Sequence, residues 1–357
     1  MIKPLTSLRF FFALMVFFSH VSTNDNTLLY MTLQKKIFHE GLLGVSFFFI
    51  LSGFILSLNY TNKIIENKIV PKQFWIARLA RIYPLHLLTL LIAIPLSLKH
   101  LLLSPLLWGL NLILNFFLLQ SFVPDRDVYF SFNSPSWSIS DEMFFYLTFP
   151  FIISMLFKAP KFIYIALALI ILIPLGIHIS PDNIQQELFY ANPLFRIVDF
   201  ILGILLYRLY KLEKIKRIFS SVYIGTLMEI TVIGLFILFF SFNQYVPQGY
   251  RYSCYYWLPM IGIILTFSYQ SGYISKILSN KVMVFLGEIS FSFYMLHQLV
   301  YRYLGAISKM YPIFNNFYVF LAIVFFTSLL GSYLSYKYIE LPANRFVKAR
   351  FSKLTIA

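Results

Sequence analysis

Two residues at the ends of the apolar segment RFFFALMVFFSH have side chains that could do chemistry, Arg9 and His20. They are eleven residues apart, so at about 3.6 residues per turn both side chains lie on one face of a helix. The rise per residue separates them by about 16 Å, roughly half of a membrane's hydrocarbon thickness. A guanidinium binds anions, and an imidazole can take a proton near neutral pH. One face of the helix thus carries a cation at one end and a titratable imidazole at the other, which suggests a functional site, although a snorkelling arginine and an interfacial histidine give the same pattern.

A second basic motif is the pair Arg78 and Arg81 in FWIARLARIYP. Residues three apart are neighbours on a helix, and Trp75 lies three residues earlier on the same side. Two adjacent guanidinium groups can bind a phosphate bidentately. The alternative is an ordinary basic cytoplasmic loop, which Pro84 ends or bends.

Two carboxylates, Asp141 and Glu142, open the long apolar run of SPSWSISDEMFFYLTFP. Carboxylates suit the first turn of a helix, where Ser138 or Ser140 could serve as the cap. Apolar residues follow Glu142 at once, however, so its carboxylate can also face the protein interior. A buried carboxylate needs a partner, and His20 is a natural one.

Two more ionisable residues lie in apolar segments near the end of the chain. In GEISFSFYMLHQLVYRY, His297 has Tyr294 and Tyr301 about one turn away on either side, which slightly favours a buried histidine bonded to a tyrosine hydroxyl over direct catalysis. In YIELP, Glu340 is placed at the cytoplasmic end of the last span, where an ion pair with a basic loop is the simpler interpretation.

The elements that must hold these residues are predicted to be transmembrane helices. Of the 357 residues, 59% are hydrophobic and only 12% are charged, against about 25% charged in soluble domains. Many apolar runs are long enough to cross a bilayer, which takes about 20 residues in a helix. They are long and unbroken rather than alternating over about ten residues, which argues against a β-barrel. The predicted fold class is an all-α, polytopic membrane helical bundle.

Eleven apolar segments are predicted, at residues 5–23, 41–60, 82–98, 101–122, 137–157, 162–179, 194–210, 218–242, 252–270, 284–308 and 316–339. If every cluster of basic residues faces the cytoplasm, both termini lie inside and the number of crossings is even. The short segment 82–98 contains Pro84, His86 and Pro95, which makes it the best candidate for a re-entrant or irregular piece. We therefore predict about ten crossings plus one irregular segment.

The formal net charge of +15 comes mostly from basic residues in short loops beside the apolar runs. This distribution favours contact with membrane lipids and permits an anionic cytoplasmic ligand, while nucleic acid is not expected as a partner. Cys254 is the one cysteine, so the chain cannot form an intrachain disulfide. The sequence has no Walker A loop, HExxH motif, Cys/His cluster or GxSxG elbow, so neither an ATP-driven pump nor a metal site is predicted.

We expect a single integral-membrane domain over residues 1–357, with its core at about 5–342. No stretch between the apolar segments is long enough for a soluble domain. No small-residue cleavage site follows the first segment, so it is predicted to be retained as a span.

Taken together, these motifs resemble those of the membrane acyltransferase-3 family of bacteria. The matching pieces, in the family's order, are the Arg9 and His20 spacing, GVSFFFILSGF, RLAR followed by IYP, WSISDE followed by FFY, ISFSFYMLH and IELP. Each is weak alone, but the six in order cover nearly the whole chain. Some members carry an appended extracytoplasmic hydrolase-like domain, which is not expected here.

The resemblance implies transfer of an acyl group, usually acetyl, from cytoplasmic acyl-CoA to a hydroxyl of a glycan on or near the outer side. Arg78 and Arg81 would hold the CoA phosphates, and Arg9 would line the donor path. His20 would be the general base, and Glu142 would orient it or stabilise its charge. Further motif residues are expected to support the site: Trp75, Tyr83, Trp137, Ser138, His297 and Glu340.

By the same resemblance, the protein belongs in the bacterial inner membrane with acyl-CoA, a glycan acceptor and lipids as partners. A transporter or flippase for a lipid-linked sugar would also be polytopic and basic inside, but it would not need the Arg9 and His20 pair. A sensor or scaffold is a third class. Consumption of the thioester separates the acyltransferase from both.

Overall fold

The computed structural model describes residues 1–20, 38–159, 161–308, 311 and 316–352. These residues form helices and connecting turns, with no strand among them. Seven helical segments of this described part are long and apolar enough to cross a membrane, or eight if a pair bent by 50° counts as one span. The all-α, multi-pass architecture is confirmed, whereas the predicted number of crossings is not.

The α-helices of the described residues are numbered in chain order. The first half of the chain holds α1 (Lys3–His20), α2 (Leu43–Ile65), α3 (Pro71–Ala93), α4 (Leu98–Leu103), α5 (Pro105–Phe116), α6 (Arg126–Tyr129), α7 (Ser136–Lys158) and α8 (Phe162–Ile179). The second half holds α9 (Asp182–Gln185), α10 (Pro193–Tyr210), α11 (Glu213–Ile218), α12 (Val222–Phe242), α13 (Gln248–Arg251), α14 (Trp257–Ser268), α15 (Tyr273–Leu278), α16 (Lys281–Ser308), α17 (Phe317–Ser335) and α18 (Leu341–Ser352).

Segment 82–98 is not the irregular piece that the sequence predicts. Its first part belongs to α3, a 23-residue helix that continues through Pro84. A proline is tolerated in a membrane helix because neighbouring groups satisfy the backbone carbonyl that it leaves free. Regular helix ends at Ala93, and a short 3₁₀ turn and the two short helices α4 and α5 follow. The arginine pair of the RLAR motif therefore lies inside a helix and not in a loop.

Two glycines allow α2 and α10 to pack at very short distance. A Cβ atom at Gly53 would overlap the carbonyl oxygen of Phe200, and one at Gly203 would overlap the carbonyl oxygen of Ile50. Close approach at small residues is the usual way for membrane helices to gain van der Waals contact. On the side that faces α10, the small-residue stretch of α2 thus serves helix packing.

A third glycine brings α1 against α16. A Cβ atom at Gly287 would overlap the carbonyl oxygen of Thr6, so any larger residue would push the two helices apart. At the next residue of α1, the hydroxyl of Ser7 donates to the carbonyl oxygen of Leu278, the last residue of α15, at 2.5 Å. The Gly287 contact holds α1 against α16 and the Ser7 contact holds it against the end of α15, which places the predicted base on α1 next to α16.

A buried carboxylate ties α12 to the start of α15. Glu229 is 0% exposed and accepts hydrogen bonds from the backbone N–H groups of Gly272 and Ile274, at 3.1 and 2.9 Å. The backbone N–H and the hydroxyl of Ser275 also donate to it. The carboxylate on α12 therefore satisfies free backbone N–H groups at the N-terminus of another helix, α15.

Candidate active site

A cavity with about 770 Å³ of empty space lies between α1, α2, α3, α7 and α16. Its apolar wall is formed mainly by α2. Its polar lining residues are Arg9, Ser52, Arg78, Arg81, Ser138, Glu142, Tyr146, Ser290 and Tyr294. The small-residue stretch of α2 is one of the six sequence motifs. Four of the other five also contribute lining residues, although they are far apart in the chain.

Three of the lining residues are the arginines that the sequence singles out. Arg78 has a fixed position, since its Nη2 donates to the hydroxyl of Tyr60 at 3.1 Å and its guanidinium lies 5.3 Å from the centre of that ring. Arg81 lies one turn further along α3 and lines the same cavity as Arg9. An anion that entered here would meet guanidinium groups from two different helices.

Two carboxylates partly balance these cations. Arg9 interacts electrostatically with Glu142 and Glu340, and it repels Arg81. Glu340 is buried and accepts a hydrogen bond from the hydroxyl of Ser292 on α16. Basic side chains therefore outnumber acidic ones here, three to two, which suits an anionic ligand.

The structure gives Glu142 other partners than the predicted imidazole of His20. Its Oε1 accepts hydrogen bonds from the hydroxyl of Ser52 at 3.1 Å and from the hydroxyl of Tyr146. Glu142 lies beside Arg9, which is about 16 Å along α1 from His20. The expected contact is wrong because α7 runs past the arginine end of α1. The helix-start interpretation is also wrong, since α7 begins at Ser136 and Glu142 is already in its second turn.

The actual partner of His20 is His297. Nδ1 of His20 lies 2.8 Å from Nε2 of His297, and the two rings are stacked with their centres 5.1 Å apart. The sequence interpretation placed a tyrosine hydroxyl next to His297. Instead, the backbone carbonyl oxygens of Tyr294 and Phe293 lie 2.6 and 3.2 Å from its Nδ1.

These partners define the protonation of both rings. A carbonyl oxygen only accepts, so Nδ1 of His297 carries the proton and Nε2 of His297 is an acceptor. Nδ1 of His20 therefore donates to that Nε2. In neutral His20 this leaves Nε2 without a proton, which is the state that a general base requires.

A hydrogen-bonded pair connects the cavity to the histidines. The hydroxyl oxygens of Ser138 and Tyr294 are 2.8 Å apart, and both hydroxyls lie within hydrogen-bond distance of the carbonyl oxygen of Pro135. Tyr294 thus lines the cavity with its side chain and binds His297 with its backbone. Neither histidine lines the cavity, but His297 lies on the next turn of α16 after Tyr294, which does.

The remaining predicted residues do not line the cavity. Trp75 packs against Phe151, with the ring centres 6.1 Å apart, and the hydroxyl of Tyr83 donates to the carbonyl oxygen of Phe116 at 2.9 Å. Trp137 is buried in the core of the bundle. We infer that these three side chains support the packing of α3 and α7.

Sequence reasoning missed the residues that bind Glu142. Tyr146 lies four residues after Glu142, a spacing that places the two side chains next to each other on a helix and could have been read from the sequence. Ser52 lies 90 residues earlier, and its type gave no signal beyond close packing. Among the described residues no cluster of three or more histidine, cysteine, aspartate or glutamate side chains could hold a metal ion.

The fold and this site define a multi-pass membrane protein with an arginine-lined cavity and, one turn further along α16, a buried pair of histidines. Residues 4–337 match the model of the acyltransferase-3 family, described as an acyltransferase domain. The chain therefore belongs to this family, and the resemblance seen in the sequence is confirmed. No solved structure matches the chain at a significant level.

Three relatives show how far the similarity extends. Acyltransferase MdmB of Streptomyces mycarofaciens is 31% identical over 85% of this chain and 79% of MdmB. A Staphylococcus aureus protein provisionally named O-acetyltransferase is 27% identical over 88% of this chain, which spans 54% of that protein. Peptidoglycan O-acetyltransferase OatA of Listeria monocytogenes is 28% identical over 72% of this chain and 44% of OatA. The chain thus spans about half of the length of the O-acetyltransferases.

Proposed function

We propose that this protein is a membrane O-acyltransferase that moves an acetyl group from acetyl-CoA to a hydroxyl of a cell-surface or lipid-linked glycan. The observation that carries the proposal is the His20 and His297 pair, whose hydrogen bonds leave Nε2 of His20 unprotonated. The relatives named O-acetyltransferases, one of them acting on peptidoglycan by its name, support this choice of reaction and acceptor class. Another acyl-CoA could serve as donor by the same chemistry.

The donor binds to the arginine-lined cavity. Arg78 and Arg81 hold phosphate groups of CoA, since a guanidinium presents two N–H groups that match two phosphate oxygens. Arg9 lies deeper, on the helix that ends at His20, and lines the path of the acyl chain. Glu142 and Glu340 offset part of the repulsion among the guanidinium groups in the absence of donor, a counter-charge role that replaces the proposed support of His20.

The transfer step uses His20 as the base. Nε2 of His20 takes the proton of the acceptor hydroxyl while the hydroxyl oxygen attacks the thioester carbonyl. The C–O bond forms, the C–S bond breaks, and the proton moves to the CoA sulfur, so that the products are the acetyl ester and free CoA. His297 accepts the hydrogen bond of Nδ1 and stabilises the imidazolium that forms on His20.

The charge distribution supports one orientation of the protein in the membrane. The arginine side of the cavity faces the cytoplasm, where acyl-CoA occurs, and both termini lie on that side of the bacterial inner membrane, because basic flanking residues favour it. The acceptor approaches from the other side. A flippase for a lipid-linked sugar is the competing function, and it predicts no consumption of thioester.

The test uses purified protein in detergent with [¹⁴C]acetyl-CoA and a detergent extract of envelope from cells that lack this gene. We expect radioactive ester, released by mild base, with the wild-type protein and a loss of about 10²–10⁴-fold with His20→Ala. The His20→Ala protein should still bind acetyl-CoA and keep its thermal stability. No thioester consumption by the wild type, or wild-type rates with His20→Ala, would overturn the proposal.

A further inference from the structure

A second cavity, with about 1220 Å³ of empty space, is lined by residues of α16 that come after His297, whereas the α16 residues that line the arginine cavity come before it. It is formed by α5, α6, the turns around them and the second half of α16. Its lining includes Trp108, Asn111, Phe130, Gln298 and Arg302. None of these residues belongs to a motif that the sequence analysis assigned to the donor or the base.

The two cavities approach the same turn of α16. Tyr294 lines the first cavity and Gln298 lines the second, four residues later, which is about 6 Å along the helix axis. The start of α7 shows the same spacing, since Ser138 lines the first cavity and Ser134 the second. His297 lies between the two lining positions of α16. The two cavities thus approach α16 on either side of the turn that holds His297.

The second cavity contains polar atoms that no protein group satisfies. Oδ1 of Asn111 and Oε1 of Gln298 are buried and have no hydrogen-bond partner, and Asn111 is only 9% exposed. Because both atoms are amide oxygens, the groups that would satisfy them are neutral donors such as hydroxyls.

The aromatic side of the cavity is held rigidly. The indole Nε1 of Trp108 donates to the hydroxyl of Ser97 at 2.9 Å, and its ring meets Phe132 edge to face at 5.4 Å between centres. Arg302 is also fixed, because its guanidinium donates to the backbone carbonyl oxygens of Phe132 and Leu96. These contacts build a firm wall around the space, so the shape does not depend on a ligand.

We propose that this second cavity is the acceptor site and that it binds one pyranose ring of the glycan. A pyranose has an apolar C–H face that packs on an aromatic ring and hydroxyls that donate to amide oxygens, and the cavity offers Trp108 for the face and Asn111 and Gln298 for the hydroxyls. The inference rests on the proposed function, because it names a binding site for the second substrate of that reaction. It explains why the two cavities approach α16 on either side of the turn that holds His297.

The experiment measures acetyl transfer by purified protein while the concentration of the envelope extract and that of [¹⁴C]acetyl-CoA are varied separately. Trp108→Ala and Gln298→Leu should each raise the half-saturating amount of extract by about tenfold or more, which is about 1.4 kcal/mol, and leave the half-saturating acetyl-CoA concentration within about twofold. Trp108→Phe keeps a ring and should fall between Trp108→Ala and the wild type. Leu106→Ala, on the same helix but 79% exposed, is the matched control and should change neither quantity.

The outcomes separate the two proposals. If the wild type transfers no acetyl group, the proposed function itself fails, and this inference fails with it. If the wild type is active, an unchanged dependence on extract in Trp108→Ala and Gln298→Leu overturns only the acceptor site. A shift in the acetyl-CoA dependence instead would assign the cavity to the donor. Thermal unfolding of each variant shows whether it is folded, and Trp108→Phe keeps the test valid if Trp108→Ala is not.

Discussion

The membrane helices fall into an inner and an outer group. Of the apolar windows of the inner spans His39–Ile65 and Lys281–Ser308, 72% and 61% are buried inside the protein. For each of the outer spans Phe162–Ile179, Val222–Tyr245 and Phe317–Val347 the buried share is 17%. The outer helices are apolar around most of their circumference, as contact with lipid requires. The inner span Lys281–Ser308 carries the buried side chains of Ser290, Ser292 and His297.

This difference shows where reactive side chains can lie in a membrane helical bundle. An ionisable side chain in a bilayer is stable only with partners, and partners are available only where helices surround it. Arg9 and His20 on α1, Glu142 on α7 and His297 on α16 all have polar neighbours. Substitutions in the inner group should therefore change activity, whereas matched substitutions in the outer group should not.

The largest contrast is expected between two histidines. His297→Ala removes the acceptor for Nδ1 of His20, so we expect transfer to fall by about 10²–10⁴-fold, as for loss of a general base. His178→Ala, in the last turn of the outer helix α8, should keep the wild-type rate. Both are measured as acetyl transfer to envelope extract by purified protein.

A conservative variant sharpens this prediction. In His297→Gln the amide oxygen can still accept from Nδ1 of His20, so part of the activity should return relative to His297→Ala. Equal activity of His297→Ala and the wild type would show that the pairing of the two rings has no role in the reaction.

A smaller effect is expected from two glycines. Gly287→Ala forces a methyl group against the backbone of α1 and should destabilise the protein by about 1–3 kcal/mol, because the helices must move apart. Gly234→Ala on the outer helix α12 meets no atom within 4 Å and should be neutral or stabilising by up to about 1 kcal/mol. The midpoint of thermal unfolding in detergent measures both, and equal midpoints would contradict the close crossing of α1 and α16.

At the donor cavity the expected effect is on substrate affinity and not on the transfer step or on stability. Arg81→Ala should raise the half-saturating acetyl-CoA concentration by about tenfold, since a lost bond to a charged group costs about 1.5–3 kcal/mol. Arg217→Ala removes an exposed arginine of α11 outside the cavity and is the control. If both variants bind acetyl-CoA like the wild type, the arginines serve topology and not binding.

The same division explains what the sequence could predict. The predicted segment 162–179 coincides with the outer helix α8, because a lipid-facing helix is apolar from end to end. The inner helix α3 was placed too late, at residue 82, because it begins with eleven residues that include Lys72, Arg78 and Arg81. Hydropathy identifies the helices that face lipid better than the helices that hold the site.

The contacts of the site were harder to predict than its residues. Arg9, Arg78, Arg81 and Glu142 were identified from residue type and spacing, and the structure brings all four to one cavity. The partner of His20 is 277 residues away in the chain, and its choice depends on which helices are neighbours. Local spacing carries no information about that order, so Glu142 was assigned to the wrong end of α1.

The buried carboxylate of Glu229 has a consequence for how the protein is assembled in the membrane. This residue lies on an outer helix, yet every donor that it binds belongs to the turn at residues 272–275, more than 40 residues later in the chain. When α12 first enters the bilayer, those donors are not yet in place, and a carboxylate without partners is costly in hydrocarbon. Helix α12 can therefore settle stably only after α15 has arrived, so the two form a single unit of insertion. Because α15 also accepts the hydrogen bond of Ser7, its arrival positions the start of the first helix as well, and the N-terminus of the chain completes its packing late.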